Sequence, residues 1–511
     1  MKILSSEQIY EADKFTIKKQ GITSDALMER AALKIFEWLH GRLQGAQVKI
    51  HVFCGIGNNG GDGMVLSRHL FEHGYNFQTY VVDFSEKRSK DFLLNLERLK
   101  DRKIWPSFLE AKSQLPQIGM DDIVVDAIFG IGLNRQPDKW VANLIKHINT
   151  SPAFVISVDV PSGLPSQKVS WKFTSVIKAN HVLSFQVPKL VFLLPETGKY
   201  LDTWEILNID LDSDFISGLE SNYFLTQRSN LVSIYKPRTK FSHKGTYGHA
   251  VIIGGSHGKI GAVQLAGRAC LRSGSGLVSM FVPGCGYNAL QSSFPEAMIL
   301  TDTAMDHITE IEIPFTASAI GIGMGLGTFK KTVVAFGEFL QKAKQPLVID
   351  ADGINILAKH QEMLKQLPEN SILTPHPKEL ERLIGSWDDD FDKLDKANAF
   401  SMKHGVILVL KGANSLIVDG EKGYFNTSGN PGLATAGSGD VLTGIITGFL
   451  SQGYNSLEAS IFGVYLHGLA ADIKASEIGF EALIASDIIE NLGKAFVELL
   501  RPKPPQNKKE T

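Results

Sequence analysis

Cysteine is scarce in this 511-residue chain: Cys54, Cys270 and Cys285 stand far apart and are odd in number. That supports neither a disulfide framework nor a zinc site, and it suits a reducing compartment with all three thiols in the core. A bias of charge is missing too. With a net charge of −2, nothing electrostatic favours nucleic acid or an anionic membrane as a partner. No apolar run reaches bilayer-spanning length, and the segment after Met1 carries acidic and polar residues where a secretory leader needs an apolar core. These absences together predict a cytoplasmic protein.

What is present is a globular composition, 43% hydrophobic and 21% charged, in a chain long enough for two or three domains. Short β-branched runs alternate with amphipathic stretches, the pattern of a parallel sheet covered by helices. In the first half, strands are expected at 48–53, 123–126, 154–159 and 181–185. Helices are expected at 6–20 and 25–40, the latter capped by Ser24 or Asp25. The pattern lapses over 210–235, where a domain boundary is expected. Beyond it, strands are expected at 250–254, 277–282, 319–323, 347–350, 372–374, 406–410 and 416–418, with helices at 261–272 and 438–450. The fold class is therefore α/β in two domains: a Rossmann-like parallel-sheet domain over 1–215 and a second α/β domain over 225–500. The Pro-rich, charged residues 501–511 read as a disordered tail.

The most informative run is Thr435-Ala-Gly-Ser-Gly-Asp440-Val-Leu-Thr-Gly444, followed by apolar Ile445 to Leu450. It places a carboxylate at a helix N-terminus, where unpaired N–H groups and the helix dipole favour a phosphate. Asp440 can then deprotonate an attacking hydroxyl. A glycine-rich turn that merely caps a buried helix is the alternative, and the neighbouring motifs argue against it. Val348-Ile-Asp350-Ala-Asp352 puts carboxylates at a strand end, suited to a nucleotide's Mg²⁺. His376 sits in a proline-framed turn before a helix, and Lys411 follows a strand. A lone histidine or lysine of this kind can equally be a solvated surface group.

In the first half, strand 48–53 enters Cys54-Gly-Ile-Gly-Asn-Asn-Gly-Gly-Asp-Gly63, and a helix is expected to begin at Met64. Asparagines and an aspartate among five glycines offer donors and acceptors for ribose, diphosphate or a cation. Asp126 and Asp159 end two further strands in glycine-bearing loops. The three strand ends converge if the strands are neighbours. Each aspartate alone could be only a helix cap.

Residues 1–210, through Leu27-Met-Glu-Arg-Ala31, Gly57-Asn-Asn-Gly-Gly-Asp62, Asp126-Ala-Ile-Phe-Gly130 and Asp159-Val-Pro-Ser-Gly163, resemble the NAD(P)H-hydrate epimerase family. The resemblance implies exchange of the R and S epimers of hydrated NADH or NADPH. It implies that Asn58, Asn59, Gly60, Gly61 and Asp62, with Gly130, Ile131, Gly132, Leu133, Asn134, Arg135 and Gln136, hold the hydrate. Asn59, Asp126 and Ser162 would ligate K⁺, and oxygen ligands suit that hard cation. Asp159 is the candidate acid or base, also at the substrate. Pro165 departs from the Asp that many relatives carry there, so a contact through that carboxylate is in doubt.

Residues 235–500, most clearly Asn430-Pro-Gly-Leu-Ala-Thr-Ala-Gly-Ser-Gly-Asp440, resemble the NAD(P)H-hydrate dehydratases, a branch of the ribokinase-like fold. The resemblance implies Ala262, Gly325, His376 and Asp440 at the hydrate. It implies Lys411, Gly412, Ala413, Asn414, Ser415 and Gly439 at an adenine nucleotide with Mg²⁺. Bacterial-type members use ADP and eukaryotic ones ATP, and the fused arrangement favours ADP. Asp440 would deprotonate the hydrate's hydroxyl, which attacks ADP and expels AMP. Expected partners are thus NAD(P)HX and ADP, without nucleic acid or membrane, and a homo-oligomer is expected. The competing expectation is a sugar or vitamin-precursor kinase fused to a non-catalytic dinucleotide-binding module.

Overall fold

A computed structural model describes residues 1–171 and 173–502. The expected tail lies almost wholly outside the described residues. The chain forms two compact units, Met1–Tyr223 and Phe224 onward.

In the first unit, seven strands stand in parallel: β1 (Ile50–Cys54), β2 (Phe77–Val82), β3 (Ser107–Leu109), β4 (Ile123–Ala127), β5 (Phe154–Val158), β6 (Ala179–Phe185) and β7 (Leu201–Leu207). Their order is β3-β2-β1-β4-β5-β6-β7. All five residues of β1 are buried, as expected of a parallel strand covered on both faces. Helix α1 (Ser6–Gln20) starts in a capping box in which Ser5 Oγ accepts from Gln8 N and Gln8 Oε1 accepts from Ser5 N. Helix α2 (Ser24–Leu43) has Thr23 at its N-cap, one residue before the expected caps, and Thr23 makes no side-chain cap bond.

The glycine-rich segment corrects an expectation: α3 runs Asn58–Glu72, so Asn58 to Gly63 form its first turns instead of a loop before Met64. Close approach permits this. A Cβ on Gly60 would lie 1.7 Å from the Gly55 carbonyl oxygen, so the residue must be glycine for the helix to begin against the end of β1. Packing against β1 and β4 overrides the poor helix propensity of the glycines.

The second unit carries β8 (His249–Ile253), β9 (Leu277–Val282), β10 (Met298–Thr301), β11 (Ala319–Ile322), β12 (Leu347–Ile349), β13 (Ile372–Leu373), β14 (Ile407–Leu410), β15 (Ser415–Asp419) and β16 (Lys422–Asn426). They run in the order β16-β15-β14-β13-β12-β11-β8-β9-β10. The pairs β14–β15 and β15–β16 are antiparallel, and the other pairs along this order are parallel. Helices α4 (Ile260–Arg272), α5 (Ser438–Ser451), α6 (Ser456–Ile478) and α7 (Ala485–Leu500) pack together on the sheet. The apolar run after Asp440 is the centre of that core: Val441, Ile445, Ile446 and Phe449 are buried, and the Phe449 ring lies tilted with its centroid 4.6 Å from that of Phe462 of α6. Burial of this face anchors the first turn of α5 at the ends of the parallel strands.

Two of the three cysteines, Cys54 and Cys270, are buried, whereas Cys285 is half-exposed, against the expectation that all three are core residues. Among the described residues, no helix is long and apolar enough to cross a membrane.

Candidate functional site

In the first unit, β1, β4 and β5 are adjacent, so the loops that follow them meet at one sheet edge. They open into a cavity of about 950 Å³ lined by Asn58, Asn59, Asp62, Gly130 to Gln136 and Asp159. Gly60 and Gly61 do not line it. They lie behind the wall, where Gly61 abuts Met28. Three cations at the rim, Lys87, Arg88 and Arg135, suit a diphosphate, although Arg88 is also paired to Asp83 at 2.6 Å. The sequence reading missed Lys87 and Arg88, together with Tyr10, Asp13 and Lys189 of the same cavity.

Asp159 ends β5 by turning into the left-handed region, φ 64°, a conformation that costs a non-glycine residue about 1–3 kcal/mol. Its Oδ1 lies 2.8 Å from Lys189 Nζ, and both side chains are almost wholly buried. Two other aspartates stand in its field. Burial, then Asp159, pushes Asp13 up to about 6. Asp62 is pushed well above the usual carboxylate range by burial, then by Asp159 and Asp13.

Asp126 and Ser162 are brought together, fully buried behind the cavity wall. Asp126 accepts from Ser162 N at 2.8 Å, Ser157 Oγ at 2.7 Å, Ile128 N at 3.3 Å and Ser162 Oγ. Even so, burial outweighs these bonds and raises its pKa. Asn59 Nδ2 is buried without a hydrogen-bond partner. An unsatisfied polar atom of this kind calls for a ligand or for the amide in its flipped sense, which turns a carbonyl oxygen to the same place. In the flipped sense, with oxygen in that place, Asn59 completes with Asp126 and Ser162 an oxygen set that fits a hard monovalent cation. Among the described residues, no cluster of His, Cys, Asp or Glu offers a transition-metal site.

In the second unit, Asp440 lies in the first turn of α5, after Gly437 at φ 85°. Its carboxylate is half-buried and accepts no hydrogen bond among the described residues. Burial, then Asp350, with an opposing pull from Lys411, pushes it up to about 6. The N–H groups of Gly439 and Asp440 have no acceptor among the described residues. Ser438 N donates to Thr435 O at 3.4 Å. Lys411 Nζ comes within 3.1 Å of where a Cβ on Gly439 would stand, so any side chain there would press on the lysine. Helix α4 joins from the side: Gly325 faces Ala262, and Leu265, one turn on, packs against Gly437.

Asp350 is committed in a way the sequence reading did not foresee. Its Oδ1 pairs with Lys411 Nζ at 2.6 Å and its Oδ2 accepts from Thr443 Oγ1 at 2.8 Å, so it is no open Mg²⁺ ligand. Asp352 Oδ2 accepts from Gly327 N at 2.8 Å and holds the Gly325–Gly327 loop. His376 is the N-cap of the helix Pro377–Ile384. Its Nδ1 accepts from Lys378 N at 3.1 Å and Glu379 N at 3.3 Å, and its Nε2 lies 3.4 Å from Glu379 Oε1. Both ring nitrogens are thus turned to its own helix, leaving only the ring face for a ligand. Lys411 also begins the loop joining β14 to β15, in which Gly412 and Ala413 are exposed and Asn414 and Ser415 half-buried.

His467 of α6 was missed, because a histidine inside an apolar helix carries no local signal. It is buried, with Nε2 3.0 Å from Ser438 O, and burial pushes it down to about 4. A neutral imidazole therefore clamps the first turn of α5.

Two family models match the chain: NAD(P)H-hydrate dehydratase over residues 250–494, and YjeF-related protein N-terminus over residues 24–191. The bifunctional NAD(P)H-hydrate repair enzyme of Moorella thermoacetica is 33% identical over 516 residues, covering 96% of each chain. The enzyme of that name from Escherichia coli is 32% identical over 487 residues, covering 92% of this chain and 89% of its own. A solved structure, the ADP/ATP-dependent NAD(P)H-hydrate dehydratase from Bacillus subtilis co-crystallised with ATP and Mg²⁺, is 27% identical with a TM-score of 0.48, over 54% of this chain and 99% of that one. With such likeness over nearly the full length of both chains, this chain belongs to the family of bifunctional NAD(P)H-hydrate repair enzymes.

Proposed function

We propose that the chain repairs hydrated NADH and NADPH: residues 1–215 exchange the R and S epimers, and residues 225–500 dehydrate the S epimer at the expense of ADP. The observation that carries the second activity is Asp440, an unpaired carboxylate raised to about 6 beside two free N–H groups at a helix N-terminus. It takes the proton of the hydrate's hydroxyl. That oxygen forms a bond to the terminal phosphorus of ADP while the bond to AMP breaks and AMP leaves. The ring nitrogen's lone pair then expels phosphate from the ring carbon, and loss of the neighbouring C–H proton restores the ring double bond. Phosphorylation converts hydroxide, a poor leaving group, into a good one. The N–H groups of Gly439 and Asp440, with Lys411 nearby, stabilise the charge that develops. Ala262, Gly325 and the ring face of His376 border the hydrate, and the Lys411–Ser415 loop with Gly439 borders the nucleotide.

Mg²⁺ accompanies the nucleotide and neutralises phosphate charge. With Asp350 committed, Asp352 and Asp440 are the carboxylates near it, which fits an ion held mainly by phosphates and water. For epimerisation, Asp159 moves the proton of the ring-carbon hydroxyl, through ring opening or reversible loss of the hydroxyl. Asn59, through its amide oxygen in the flipped sense, would hold K⁺ together with Asp126 and Ser162, which are buried side by side. The buried free thiols fit a cytoplasmic protein, and self-association is measured by light scattering.

The test follows dinucleotide absorbance with purified R and S hydrate, ADP or ATP, and K⁺ or Na⁺. Restoration from S hydrate only with nucleotide, and from R hydrate only when the first unit is active, supports the assignment. A stable phosphorylated product would instead mark a small-molecule kinase.

A further inference from the structure

We infer that Lys189 is a positioning residue for epimerisation, clamping one oxygen of Asp159 so that the other is presented to the substrate hydroxyl. This rests on the reading of Asp159 as the proton-transfer group.

The donors around Asp159 are one-sided. Lys189 Nζ at 2.8 Å, Ser184 Oγ at 3.3 Å and Phe185 N at 3.5 Å all converge on Oδ1. No donor among the described residues reaches Oδ2, although Asp159 lines the cavity. A carboxylate held through a single oxygen has one free oxygen in a fixed direction, the arrangement a proton acceptor needs. The αL backbone at residue 159 and the bond from Asp159 N to Leu183 O at 2.8 Å fix the base of the same side chain.

Lys189 is itself held. Nζ donates to Phe185 O at 2.9 Å, and the residue also lines the cavity. With a side chain only 3% exposed, it is the buried cation facing a cluster of three carboxylates, Asp13, Asp62 and Asp159, with Tyr10 beside them. Asp159 raises both other acids, and Lys189 alone is a lowering influence on Asp13. The lysine makes its salt bridge with Asp159 rather than with either neighbour. That choice leaves Asp13 and Asp62 with raised proton affinity and sets the cation against Asp159, whose Oδ2 stays open.

The experiment measures R-to-S exchange in full-length Lys189→Met, Lys189→Arg and Asp159→Asn, with ADP-dependent dehydration of purified S hydrate as the control for an intact chain. Lys189→Met should lower kcat for exchange at least 30-fold while KM changes less than 3-fold. The acid limb of its pH profile should move to higher pH. Lys189→Arg keeps the charge and should keep that limb in place, and it provides the reading if Lys189→Met fails to fold. Wild-type kcat in Lys189→Met, a loss confined to KM, or an unmoved acid limb in Lys189→Met with Asp159→Asn inactive, overturns the role of Lys189 and leaves that of Asp159 standing. If Lys189→Met does not fold, an acid limb displaced in Lys189→Arg overturns it as well. An active Asp159→Asn overturns both.

Discussion

Replacing Asp440 by Asn should make the protein more stable and destroy its dehydratase activity. Burial, Asp350 and Asp352 push the Asp440 carboxyl from 3.8 to about 6. Its folded pKa exceeds its unfolded one, so between pH 3.8 and about 6 the folded state binds more protons, and stability falls as pH rises through that window. Above it, the ionised carboxylate costs the fold its full penalty. A shift of about two units corresponds to about 3 kcal/mol, and solvent reaching this half-buried group reduces that to about 1–2 kcal/mol. Asparagine has the shape of the protonated acid without its charge. Asp440→Asn should therefore melt about 2–6 °C above the parent at pH 7.5, with the gap closing as pH approaches 4. Differential scanning calorimetry of full-length protein at both pH values reads this on the transition of the second unit. Loss of a general base should lower kcat for dehydration by about 10²–10⁴ while R-to-S exchange persists. In the parent, dehydration should rise with pH through about 6 as the base ionises. A mutant no more stable at pH 7.5, or one that still dehydrates, refutes the reasoning.

Three further outcomes follow from the geometry. His467, lowered to about 4, binds fewer protons folded than unfolded between pH 4 and 6.5, so it removes stability as pH falls through that window, by up to about 3 kcal/mol. His467→Gln, which can still donate to Ser438 O, should flatten the acid limb of the melting profile of the second unit. Gly60→Ala drives a Cβ onto the Gly55 carbonyl and should cost the first unit more than about 3 kcal/mol. Exchange should vanish in that variant while dehydration of S hydrate continues. Asp126→Asn sets an amide N–H₂ against donors that now converge on a carboxylate and should cost about 2–4 kcal/mol, read as a lower urea midpoint for the first unit.

Much of the scaffold was legible because its signals are local. The strands that became β1, β4 and β5 are short, mainly apolar runs interrupted by His51, Asp126 and Ser157, and the Gly-Ser-Gly-Asp440 turn announces a helix by the apolar face that follows. Convergence of the three strand ends was expected only if those strands are neighbours, and the order of the sheet makes them so. The start of α3 was not legible: glycine content argues for a loop, and only the tertiary contact of Gly60 with Gly55 makes it a helix. The same holds for the site partners. Asp13 and Tyr10 come from α1, which precedes the first strand of the sheet, and Lys189 follows β6 without a motif. Lys411 and Asp350 are 61 residues apart and meet only across the sheet ends.

What local sequence omits is how charge is divided inside each site, and here the two units use one device. Each has a lysine that forms its ion pair with one carboxylate, the buried Lys189 with Asp159 and the half-buried Lys411 with Asp350. Each leaves another carboxylate without a cation and raised to about 6, Asp13 in the first unit and Asp440 in the second. The consequence differs with the partner chosen. In the second unit the paired Asp350 is saturated by Lys411 and Thr443, so the unpaired Asp440 is the group free to accept a proton. In the first, Asp159 keeps Oδ2 open despite its pair, so the paired acid is the one presented to the substrate. Reversible exchange at one carbon requires an acceptor held in a fixed direction, whereas a transfer to phosphorus needs a base and a cradle for the charge it creates.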